Sequence, residues 1–153
     1  MTWVHEGIYA GGGEHIPATW EAFADQTGIT AVLHLRPGAP GVFCGRSPRA
    51  FLWLALEDED QAGLDERWLA GRFVADCLAE GQRVLLHSSL GRHRTRWAYV
   101  AYRIVAGRSA RAALREAAER PWLGPYHTQP AAWEAFAEAV RPRRIVGGGH
   151  AVR

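Results

Sequence analysis

With 153 residues the chain is long enough for one domain with a proper core and too short for two comfortable ones. A hydrophobic fraction of 48% with 22% charged residues excludes a disordered or fibrous chain, and a formal net charge of +2 is too small to argue for a nucleic-acid partner. All basic residues are Arg and none is Lys, which excludes a Lys-bearing nucleotide loop, and Cys44 and Cys77 are too few for a disulfide framework.

In chain order, residues 7–10 (GIYA) read as a short edge strand that runs into the turn Gly11-Gly12-Gly13. Within residues 19–26, Trp20, Phe23 and Ala24 fall at helical spacing, and Gly28 supplies a stop. Residues 29–35 (ITAVLHL) form a near-continuous apolar strand that Arg36-Pro37 ends. His34 reads as a half-buried strand residue and Arg36 as a solvated strand end. Residues 37–49 carry Pro, Gly and Ser without a period and form a long surface loop. Residues 51–56 (FLWLAL) are a third strand, closing on Glu57-Asp58-Glu59-Asp60. The plain reading of that acidic run is a solvated turn or a helix N-terminus.

Residues 64–80 place Leu64, Trp68, Leu69, Phe73, Val74, Cys77 and Leu78 on one helical face, with Gly81 as a stop. Cys77 is a small core residue there, whereas Cys44, in the loop, is a spare thiol. This helix is the crossover into a strand at 83–87, and right-handed crossovers of this kind build a parallel sheet covered by helices. The expected fold is a single α/β domain with a mainly parallel central sheet of about four to five strands flanked by helices. Residues 94–105 are a buried central helix that Gly107 ends. Residues 109–120 are an Ala-rich amphipathic helix capped by Ser109. After a loop at 126–130 the last helix is expected at 131–140. A basic, Gly-rich tail from Arg141 is expected to fray, so the domain is drawn at 1–140 and the tail at 141–153. No apolar run reaches membrane-spanning length and the N-terminus lacks a signal-peptide profile, so the expected location is cytoplasmic.

The loop between the strand at 83–87 and the helix at 94–105 is where the chemistry gathers. A loop at a strand end and helix start collects unpaired N–H groups and the positive end of the helix dipole, a place for an anion. Arg94 adds a planar fork able to hold two phosphate oxygens, and Gly91 lets the backbone turn without a side chain in the way. The run His87-Ser88-Ser89-Leu90-Gly91-Arg92-His93-Arg94-Thr95 resembles the phosphate-binding loop of the cysteine-based protein tyrosine and dual-specificity phosphatases. Their pattern is His-Cys, five residues, Arg, then Ser or Thr, with a Gly before the Arg. Every element is present except the nucleophilic Cys, where this chain has Ser88.

The resemblance covers residues 7–140 and implies a dual-specificity phosphatase-like fold. It assigns Arg94 to clamping the phosphate and the backbone N–H groups of Ser89, Leu90, Gly91, Arg92, His93 and Arg94 to cradling it. His87 becomes a supporting residue whose ring bonds nearby backbone, and Thr95 sits beneath position 88. Arg92 and His93 add rim charge suited to a highly phosphorylated ligand such as a phosphoinositide or a nucleotide. The family's general acid maps best on Asp58, thirty residues ahead of Ser88, with Asp60 second. His127 and Gln129 lie in a loop where relatives place a water-orienting group, although both read more simply as surface residues.

Ser88 sets the limit of the functional claim. In the family the Cys is a thiolate that attacks phosphorus, its pKa lowered by loop amides and the Arg. A serine hydroxyl stays protonated, and by analogy with nucleophile deletions the loss is on the order of 10⁴ to 10⁶ in kcat. The expectation is a domain that binds a phosphorylated protein or a small phosphate ester, with hydrolysis disabled or strongly reduced. A natural pseudophosphatase and a deliberate Cys-to-Ser trap both fit. The alternatives are a non-catalytic module that binds a phosphorylated ligand, and weak hydrolysis through Ser88 or water. No Cys/His grouping has metal spacing and no cofactor is implied. A serine-hydrolase elbow fits poorly, because Leu86 stands where the first Gly of Gly-x-Ser-x-Gly belongs. Phosphotyrosine, phosphothreonine, phosphoinositide and small esters all remain open as substrates, as does the oligomeric state.

Overall fold

Strand β5 (Arg83–Ser88) runs through the middle of a five-stranded sheet whose order is β1-β2-β5-β3-β4. Its neighbours are β2 (Ile8–Gly12) and β3 (Ile29–His34), both parallel to it; β4 (Ala50–Trp53) adds a further parallel strand, and β1 (Thr2–His5) an antiparallel edge. The computed structural model describes residues 1–57, 59, 62–88, 93–120, 123 and 129–151, without the side chains of His93 and 144–151.

Helices cover both faces, as βαβ connections require. On one face lie the short α1 (His15–Ala18) and α2 (Trp20–Thr27). On the other lie α3 (Leu64–Ala79), α4 (His93–Val105), α5 (Ala110–Ala118) and α6 (Pro130–Ala151). Strand alternation divides the core accordingly. Val84 and Leu86 pack in the large cluster with α3 to α6, while Leu85 packs with Ile16, Trp20 and Val32 on the other side. Helix α4 is the centre of the larger layer, with Trp97, Ala98, Tyr99, Val100, Ala101 and Ile104 all fully buried.

Local signals explain most boundaries. Gly28 takes φ 73° and ends α2, and Ser109 Oγ accepts from the Ala112 N–H at 3.1 Å to cap α5. Gly71, in mid-α3, is set by packing. A Cβ there would stand 2.5 Å from Val105 Cγ2 and 2.8 Å from the Ala101 carbonyl, so α3 and α4 touch through a missing side chain.

Four departures from the expected elements have physical reasons. The third strand ends at Trp53 instead of Leu56, because β3 itself ends at His34 and offers no further ladder; the Leu54 N–H closes it on the His34 carbonyl at 2.9 Å. Leu54 and Leu56 are nonetheless buried, which is why the run looked like strand. Two short elements, β1 and α1, carry too few residues to show a period. Helix α6 continues past 140 to Ala151 despite Pro142, with the Arg143 guanidinium 5.1 Å over the Trp68 ring and 3.8 Å from Asp65.

Candidate active site

The C-terminal edge of the parallel strands is where an open α/β sheet presents ligand-binding loops, and β5 ends there on Ser88. Alternation puts Ser88 on the α4 side with Val84 and Leu86, and His87 on the α1–α2 side with Leu85. Ser88 and Thr95, the latter in the first turn of α4, are both buried. Arg94, also in that first turn, donates from Nη2 to the Glu57 carbonyl at 3.2 Å. One guanidinium therefore links the start of the buried helix to the start of the acidic stretch. The positive end of the α4 dipole faces the same place.

The backbone at the foot of the loop is held from both sides. The His87 carbonyl accepts from the Leu35 N–H at 2.8 Å, and the Ser88 carbonyl from the Gly13 N–H at 3.3 Å. Gly13 has φ +90°, a conformation that favours glycine, which gives the third glycine of the run its place in the turn. Its carbonyl in turn accepts from His87 Nε2 at 2.9 Å.

Behind the loop, His34 and His87 meet. Their Nδ1 atoms are 3.0 Å apart and their rings stack with centroids 5.1 Å apart. Burial, the largest cause, pushes the His87 imidazole down to about 4, against the hydrogen bond to Gly13 and with neighbouring His34, Arg36 and His15 acting in the same direction as burial. Burial likewise lowers His34. Both rings are therefore neutral near pH 7. Beside them Arg36, two residues past the end of β3, forms an ion pair with Glu14.

Of the residues singled out from sequence, the structure brings Ser88, Arg94, Thr95 and His87 to one end of the sheet. Asp58, Asp60, Ser89, Leu90, Gly91, Arg92 and His127 lie outside the described residues, as does the side chain of His93. Glu59, between the two candidate acids, is buried. Gln129 is exposed at the start of α6, its carbonyl accepting from the Ala132 N–H at 3.0 Å. His34 is almost wholly buried instead of half-buried, and Arg36 is paired instead of merely solvated. The His34–His87 contact spans 53 positions, and no local pattern announces it. Among the described residues no group of three His, Cys, Asp or Glu is placed to hold a metal ion, and no helix is long and apolar enough to cross a membrane.

No family model matches the sequence, and no curated protein matches it. Solved structures do match the fold. The crystal structure of DUSP15 superposes with a TM-score of 0.71 at 21% identity, covering 94% of each chain. A mouse putative dual specificity phosphatase complexed with zinc tungstate gives 0.71 at 19% identity over 94% of this chain and 89% of the other. The human tyrosine phosphatase-like serine/threonine/tyrosine-interacting protein gives 0.68 at 17% identity over 95% and 97%. This chain has the dual-specificity phosphatase fold.

Proposed function

We propose that this chain is a dual-specificity phosphatase-like domain that binds a phosphorylated ligand through residues 88–94, and that Ser88 disables the cysteinyl-phosphate route. The observation that supports this most directly is the position of Arg94. It stands in the first turn of α4, six residues after the end of β5, and reaches the Glu57 carbonyl. The phosphate clamp and the acidic stretch thus meet at one end of the sheet, in the order the motif requires.

In this reading, loop amides and the α4 dipole hold the phosphoryl oxygens and Arg94 binds two of them. Asp58, next to Glu57, is the proton donor to the leaving oxygen. Ser88 Oγ occupies the nucleophile's place but stays protonated, and Thr95 lies in the first turn of the helix. The domain then holds its ligand without completing the first displacement.

The test uses tungstate as an unreactive oxyanion and a chromogenic aryl phosphate as substrate. Wild-type protein is expected to bind tungstate by calorimetry, and Ser88→Cys to hydrolyse the ester with vanadate sensitivity. A wild-type protein with no oxyanion affinity at millimolar concentration, together with an inert Ser88→Cys, would sink the proposal. The second reading, a pure binding module in which Asp58 is structural, is favoured by the hydroxyl at position 88. It predicts tungstate binding that depends on Arg94 while Ser88→Cys stays inactive.

A further inference from the structure

The two histidines behind the loop are joined to it by hydrogen bonds whose directions chemistry decides. The Gly13 carbonyl can only accept, so His87 Nε2 carries a hydrogen. A neutral His87 then has a bare Nδ1, 3.0 Å from His34 Nδ1. Only a hydrogen on His34 Nδ1 turns that approach into a bond; otherwise two lone pairs face each other.

The other arrangement puts a hydrogen on both nitrogens of His87 and makes it an imidazolium. Its surroundings oppose that. His87 is fully buried, the titratable and charged groups facing it are His34 on β3, Arg36 just past β3 and His15 on α1, and Glu14, on the turn after β2, is engaged by Arg36. His34 Nε2 is buried with no hydrogen-bond partner of good geometry among the described residues; its polar neighbour is the Gly38 backbone, which acts toward the ring as an acceptor. An aromatic hydrocarbon would fill this place and stack on Phe51, whose ring centroid is 6.2 Å away, without that unsatisfied atom. Nδ1 is the His34 ring nitrogen within hydrogen-bond distance of a partner, and its donor is what a hydrocarbon ring would lack.

We propose that His34 is a positioning residue: its Nδ1–H fixes His87 in the tautomer that ties Gly13 to β5, and Gly13 in turn holds the Ser88 carbonyl where the loop begins. The inference deepens the phosphate-binding reading, on which its affinity arm rests, but the tautomers can be measured without any ligand.

Long-range ¹H–¹⁵N NMR on the full chain at pH 7 is expected to show two neutral rings, His87 protonated on Nε2 and His34 on Nδ1. His34→Phe keeps a ring against Phe51 and removes the donor. It is expected to release His87 from a single tautomer and to weaken tungstate binding about tenfold, the size of one hydrogen bond's net contribution. His34→Asn, whose amide N–H can stand near the Nδ1 position, is expected to restore both. A wild-type His87 protonated on Nδ1 overturns the proposal, and that arm needs no variant to fold. So does a folded His34→Phe with unchanged tautomer and affinity. Wild-type protein with the expected tautomers but no tungstate affinity would remove the phosphate reading and leave the His34–His87–Gly13 clamp standing.

Discussion

The α3–α4 interface and the C-terminal edge of the sheet are built on opposite rules. Between the helices, Gly71 lies against Ala101 and Val105 in close van der Waals contact, amid the large apolar cluster. At the sheet edge, His34, His87, Ser88 and Thr95 are four of the seven buried polar or charged residues among those described. Burying a polar group is unfavourable unless it is hydrogen-bonded. Their concentration at one end of the sheet therefore marks the end that is built for something other than stability.

Four substitutions or conditions separate the two regions. The largest expected effect is chemical: Ser88→Cys should raise hydrolysis of an aryl phosphate by on the order of 10⁴-fold over the Ser88 chain, read by steady-state kinetics, with little change in unfolding midpoint. Next comes pH. Burial holds His87 down at about 4, against an ordinary 6.5, so the unfolded chain takes up protons first as pH falls. Stability from His87 is full above about pH 6.5 and drains away toward about pH 4, with a magnitude on the order of 3 kcal/mol. Denaturant titrations at pH 7 and 4.5 should show the loss, and a His87→Asn variant should flatten it; equal slopes in both proteins would contradict the burial argument.

Arg94→Lys should weaken tungstate binding roughly 10- to 100-fold, since an ammonium cannot form the two parallel bonds of a guanidinium. Its stability should hardly move. Gly71→Ala should do the reverse. Added volume in a closed contact costs about 1–3 kcal/mol, partly offset by about 1 kcal/mol of helix propensity, so a modest drop in denaturation midpoint with unchanged tungstate affinity is expected. If Gly71→Ala changed affinity as much as Arg94→Lys did, the two regions would be coupled instead of independent.

The elements that could be read from sequence are those with a local cause. Gly28, Gly81 and Gly107 all adopt the positive φ that helix stops favour, and Ser109 caps its helix. The runs at 29–35 and 83–87 read as buried strands because they are short, rich in Val, Ile and Leu and bounded by turn signals. The run at 51–56 misled because burial and strand pairing are different things. Leu54 and Leu56 are buried, but no partner strand continues beside them.

For the candidate site, the expectation could be formed at residues 87–95 because one short span carries the whole motif. The partners of that loop come from elsewhere in the chain. Glu57 reaches Arg94 across 37 positions and Gly13 reaches His87 across 74. His34 read as an ordinary strand residue because its role depends on the register between β3 and β5, which aligns it with His87. Periodicity says which face of a strand a side chain occupies; it says nothing of which residue lies beside it on the next strand. The sequence by itself therefore determined the buried strands β3 and β5 and the helix stops, each a matter of neighbours along the chain. The strand order and the register that brings two histidines and a glycine together were decided only by tertiary packing, which alone sets distances between residues far apart in sequence.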